Sequence, residues 1–142
     1  DVVACDVTKD VPIDNVPELN KYIRGHLKNY QRFKCYIANN RNLVLEKNVI
    51  SHKCKKRIII YDKEFEMNTT ANRKYANQNN LEGAFNGKCR VELNLNSKQQ
   101  IRSALGIENT KLTTVLNSEQ NPITDFLQET VKTDAVQSNC SD

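Results

Sequence analysis

His52 opens the stretch HKCKKRIIIYD, His52 to Asp62, and four cations follow it closely: Lys53, Lys55, Lys56 and Arg57. Cleavage of an RNA phosphodiester through its 2′-hydroxyl needs a base, an acid and a cation that holds the phosphate. His52 is the candidate for one member of the acid–base pair. Glu66 is the candidate for the other, with Glu64 and Glu92 as substitutes, and Arg90 or Arg57 as the clamp. The same lysines and Arg57, joined by Lys34, are candidates for an RNA- or phosphate-binding face without catalysis. The plainer reading is a solvated basic strand, since any basic β-protein offers such a set. His26 lies beside the apolar stripe of a predicted helix and is read as a flanking residue.

Other chemistries are excluded. With four glycines and no Gly-rich loop, nucleotide-binding loops are not expected. There is no HExxH and no nucleophile elbow. Two histidines and five cysteines without CxxC spacing argue against a zinc site, so neither metal nor cofactor is expected. Aromatic residues make up 6% and tryptophan is absent, which argues against extensive base stacking.

The elements that must position these residues follow from periodicity. The β-branched run Ile58 to Ile60 with Tyr61 predicts a strand buried on both faces, its basic head emerging into solvent as a positive patch. Val2 to Val7 predicts a strand, Lys9-Asp10 a turn, and Val11 to Ile13 a returning arm. A helix is expected from Asn15 to Tyr30: Asp14 or Asn15 can cap it, Glu18 lies three residues after Asn15 as in a capping box, Pro17 sits in the first turn, and Val16, Leu19, Ile23, Leu27 and Tyr30 make one stripe. Alternation predicts strands at Arg32 to Ala38 and Cys89 to Asn96. Leu43 to Leu45 and Val49-Ile50 are short strand candidates. Residues 67–86 read as a long polar loop with room for one helical turn near Tyr75. Ser97 caps a short helix stopped by Gly106, Lys111 to Leu116 is strand-like, and Asn121-Pro122 opens a last helix with Ile123, Phe126, Leu127 and Val131. The predicted class is α+β: one N-terminal helix packed on an antiparallel sheet, with a helical segment over 97–142, in a single domain spanning 1–142.

The bulk numbers fit a globular chain, with 38% hydrophobic and 27% charged residues and a net charge of +4. Charge is segregated: residues 21–63 carry twelve Lys or Arg against two acids, and both ends are acidic. No apolar run approaches the length needed to span a bilayer. Five cysteines predict an oxidising, secretory compartment, and a chain starting at Asp1 without methionine predicts a signal peptide that has been cleaved or omitted. Asn68-Thr69-Thr70 and Asn139-Cys140-Ser141 are glycosylation sequons. Disulfide connectivity is open. A Cys5–Cys140 bridge would close nearly the whole chain, worth about 4–5 kcal/mol in the chain-entropy model. Cys35 with Cys54 is the favoured second pair, as neighbouring strands often pair.

The aliphatic-X-Cys start (Val3-Ala4-Cys5), a hairpin, the helix at Asn15 to Tyr30, a string of antiparallel strands and a late cysteine, Cys140, give the chain a resemblance. It resembles the small secreted fungal ribonucleases that prefer guanosine, and more closely the powdery mildew effectors on that scaffold, the RNase-like proteins associated with haustoria. The resemblance implies a microbial ribonuclease-like fold and a bridge between the first and last cysteines. It departs in Val3, where an aromatic is usual, and from about Ser97 to Lys132, which has no counterpart. Such ribonucleases place histidines on several strands with a glutamate and an arginine; here only His52 falls on a strand. The resemblance therefore implies a catalytically inactive, secreted and monomeric virulence effector, which binds host RNA or host protein and is open to detection by a plant immune receptor. The alternatives are an active ribonuclease using His52, and a secreted protein-binding toxin or parasite factor.

Overall fold

The computed structural model describes residues 1–27, 33–50 and 53–127. The strands are β1 (Cys5–Pro12), β2 (Lys34–Ala38), β3 (Asn42–Ile50), β4 (Lys53–Asp62) and β5 (Lys88–Leu95). They form one antiparallel sheet in the order β1-β5-β4-β3-β2. The helices are α1 (Val16–His26), α2 (Lys63–Met67), α3 (Thr70–Gln78), α4 (Lys98–Leu105) and α5 (Leu112–Leu116), and residues 122–127 are also helical. The class is α+β, as the succession of periodicities predicts.

Side chains alternate across each strand, so one face of the sheet is largely apolar, interrupted by Lys9, Lys47 and Lys56. Leu43 and Leu45 of β3, Ile58 and Ile60 of β4, and Val91, Leu93 and Leu95 of β5 are all buried on that inner face. Helix α1 lies against β2, β3 and β4 and adds Val16 and Ile23, with Leu27 just beyond its end; α4 adds Ile101 and Leu105. Ile123 and Phe126 close the same core from the last helical segment. Asn15 caps α1, its Oδ1 accepting from the Glu18 amide at 3.3 Å while its Nδ2 donates to the Glu18 carboxylate at 3.0 Å. Gly106 ends α4 in the left-handed conformation at φ 63, where a side chain would collide with Gln120.

Several expectations are corrected. Lys9-Asp10 is not a turn: β1 runs straight to Pro12 because each of its residues pairs with β5. Cross-strand pairing outweighs the local turn signal, and Pro12 is tolerated at the end of an edge strand. Leu43 to Ile50 is one strand, not two. The isoleucine run of β4 is not buried on both faces, since Ile58 and Ile60 are buried but Ile59 and Tyr61 are half-buried. Residues 67–86 are not one long loop: α3 occupies much of that stretch and packs through Ala76. Lys111 to Leu116 yields helix α5, not a strand.

Cys5, Cys35, Cys54 and Cys89 are free thiols. The expected Cys35–Cys54 bridge does not form, because β3 separates β2 from β4. Two strand spacings of about 4.8 Å put these residues beyond disulfide reach. Cys140, the expected partner of Cys5, lies outside the described residues, as do Tyr30, His52, Val131 and Asn139.

A candidate binding face on the outer side of the sheet

On the other face of the sheet most described side chains are exposed or half-buried, and they line up in rows. The first row crosses all five strands: Asp6, Asn94, Arg57, Glu46 and Lys34 stand in register. Beyond Asn94, positive and negative groups alternate along it, the arrangement in which opposite cross-strand neighbours attract. Asn94 is its hinge. Its Oδ1 accepts from Arg57 Nε at 3.0 Å, and its Nδ2 donates to Asp6 Oδ1 at 2.8 Å and to Glu92 Oε2 at 3.2 Å. Glu46 accepts the Tyr36 hydroxyl at 2.8 Å, a bond that raises the phenol's pKa. The Lys34 ammonium lies 5.7 Å from the Tyr36 ring centroid.

The second row is Thr8, Glu92, Ile59, Val44 and Tyr36. The third begins Asp10, Arg90, Tyr61. Arg90 grips Asp10 with two nitrogens, at 2.7 and 3.0 Å. This two-pronged geometry is the strong form of the pair. The Arg90 guanidinium holds the Asp10 carboxyl below its ordinary value. Burial first, then the charges of Glu66 and Glu92, push the Tyr61 phenol up to about 12.

One end of this face deepens into a cleft of about 540 Å³, between the turn joining β2 to β3 and helix α2. Ile59, Tyr61 and Glu92 make its floor, and Arg41 and Phe65 its walls. The turn is built on Asn39 and Asn40, both with positive φ, a conformation that asparagine tolerates. Asp62 caps α2 by accepting from the Phe65 amide at 3.0 Å, which fixes where the Phe65 ring emerges. The Arg41 guanidinium carbon lies 3.7 Å from the centre of that ring.

The expected site residues are divided. Glu66 and Arg90 both act on Tyr61, so the structure brings them to one region. Each is already engaged, Glu66 with Lys63 at 2.8 Å and Arg90 with Asp10. The expected single basic patch is not formed, because alternation splits the run. Lys55 and Arg57 share the outer face with Lys34, and Lys55 is exposed. Lys56 points inward beside Lys47, with both ammonium groups within 6 Å of the Phe33 ring centroid, at 5.4 Å for Lys47 and 5.9 Å for Lys56. Burial, followed by repulsion from Lys47, lowers the Lys56 pKa. The Lys53 side chain, like His52, is outside what is described. Tyr36, Asp6, Asp10, Asn94 and Tyr61 were not singled out from sequence as site residues. Alternation places Tyr36 and Asn94 on the polar face, but only register reveals what β1 brings to it.

No group of three or more His, Cys, Asp or Glu side chains among the described residues could hold a metal ion. No helix among them is long and apolar enough to cross a membrane. Comparison with protein-family models, with curated proteins and with solved structures finds no match to this chain.

Proposed function

We propose that this chain is a non-catalytic binding protein that engages a protein partner through the outer face of its sheet. Following the resemblance in its sequence, it is a secreted virulence effector on a ribonuclease-like scaffold, acting in a plant cell and open to detection by an immune receptor. The observation that carries the protein-binding reading is the alternation of charge on the outer face. Arg90 is matched to Asp10, Arg57 reaches Asp6 through Asn94, and Lys34 stands beside Glu46. A polyanion needs a run of uncompensated cations along its path; on this face Lys55 is exposed, but Lys56 has turned away from it. Mixed charges with a half-exposed aromatic, Phe65, suit a protein surface better. The pairing of both Glu66 and Arg90 likewise supports binding over acid–base catalysis.

The test is incubation of the protein with labelled structured and single-stranded RNA, resolved on denaturing and native gels. Neither cleavage nor a salt-sensitive shift is expected. Cleavage that His52→Ala abolishes would make the chain a ribonuclease. A shift whose log–log salt slope is about −0.7 per phosphate contact would replace the protein partner with RNA.

A further inference from the structure

We infer that the cleft between the β2–β3 turn and α2 receives one basic side chain, arginine ahead of lysine, projected by the partner. This rests on the protein-binding role proposed above and names the chemistry that role requires.

The chain carries a net +4, yet the cleft has the opposite balance. Asp62, Glu66 and Glu92 line it against a single guanidinium, Arg41. Lys63 compensates Glu66 at 2.8 Å. Glu92 has no cation within ion-pair distance among the described residues; its side-chain hydrogen bond comes from the neutral amide of Asn94 at 3.2 Å. That bond uses Oε2, and Oε1 accepts no hydrogen bond from the described residues. A carboxylate half-buried on the floor of a cleft attracts a cation more strongly than one in open solvent, because less water screens it.

The walls add to this selectivity. Tyr61 and Phe65 present aromatic rings, which attract cations through their faces; Lys63 lies 5.9 Å from the Tyr61 ring centroid and Arg41 3.7 Å from that of Phe65. These intramolecular contacts already cover a face of each ring, so the entering charge is directed at Glu92. An entering guanidinium pairs its planar fork with Glu92 and lays its alkyl stem along Ile59, which a compact ammonium does less well. A phosphate or an acidic side chain meets Glu92 and Asp62 and is rejected.

Blocked pentapeptides of the form Gly-Gly-X-Gly-Gly, with X arginine, lysine, citrulline or glutamate, test this by titration into the whole protein, followed by amide NMR. The arginine peptide should shift the amides of Ile59, Tyr61, Phe65 and Glu92 saturably, and the lysine peptide more weakly. Citrulline keeps the shape without the charge; neither it nor glutamate should bind. Glu92→Gln should weaken arginine binding by about tenfold, the loss expected for one charged hydrogen bond. Phe65→Ala, at a half-exposed position, provides a second variant should Glu92→Gln misfold, and it should weaken binding too. Equal response to citrulline, or undiminished binding in the variants, overturns the inference. A silent arginine peptide with no RNA binding overturns the cleft's role and leaves the protein-binding reading standing. A silent arginine peptide with a salt-sensitive RNA shift overturns both.

Discussion

The side-chain amide of Asn20 donates a 2.9 Å hydrogen bond to the backbone carbonyl of Ile60 from a fully buried position. The same nitrogen donates to the Arg41 carbonyl at 2.7 Å. One amide group thus ties α1 to the central strand β4 and to the turn that carries Arg41, a wall of the cleft. Asn20 acts on the cleft only by positioning.

Asn20→Leu should therefore destabilise the fold by about 2 kcal/mol, because it strips buried carbonyls of their donor. Asn20→Asp should cost more, since a carboxylate would face the same two carbonyl oxygens. Urea unfolding measures both. A change below the error of the midpoint would show that α1 is held by apolar packing alone.

The Asp10–Arg90 pair sets an acid limit. The folded-state pKa of Asp10 is depressed, chiefly by its hydrogen bonds from Arg90. Its contribution is therefore present above the ordinary carboxylate value of 3.8 and fades as pH falls through the lower folded value. Both side chains are partly exposed, so solvent screening holds the effect to under about 1 kcal/mol. Thermal melts of Asp10→Asn and wild type should differ at pH 6 and converge at the lowest pH where both fold. A constant difference would show that the loss comes from packing and not from charge.

Cys89 should be the least reactive of the described thiols that burial raises. It is 1% exposed, and burial, followed by Asp62 and Asp10, pushes its pKa up to about 11. At pH 8 this lowers its thiolate fraction about a hundredfold relative to a thiol at the ordinary 9.0. Timed alkylation with mass mapping should label it only on global unfolding; labelling at the rate of a free thiol would contradict its placement.

Lys56 should behave as part of the inner face. Its folded pKa is lowered, so the unfolded chain binds more protons and stability rises with pH toward the ordinary lysine value of 10.5. Lys56→Met removes a poorly solvated charge and should leave stability unchanged or raise it by about 1 kcal/mol. Urea midpoints at pH 7 and 10 check both claims. A marked loss in Lys56→Met would mean that the ammonium has a partner that outweighs its burial.

Much of the fold was legible because two signals were strong. The alternation from Cys89 to Leu95 separates the buried odd positions from the polar even ones, and β5 follows it. Asn15, Ser97 and Gly106 marked helix ends through their own cap chemistry. Helix α3 was legible only as a single turn near Tyr75, because its asparagines read as loop formers and only Ala76 is buried, leaving almost no apolar stripe to detect. The site was less legible for a different reason. Asp10 and Arg90 are far apart in sequence, and nothing local in either announces the other. Their meeting depends on β1 joining the sheet beside β5, a choice made by register. The basic run misled because charge was counted along the chain, whereas the strand distributes it by parity.

That parity has a consequence for how this surface can change. Within β4, positions 55, 57, 59 and 61 face outward, while 58 and 60 hold the core. A library randomised at the outward positions should return folded proteins with altered ligand preference; one randomised at 58 and 60 should return few folded proteins. The strand keeps its foundations and its recognition vocabulary on opposite sides, so the vocabulary can be rewritten while the foundations stay in place.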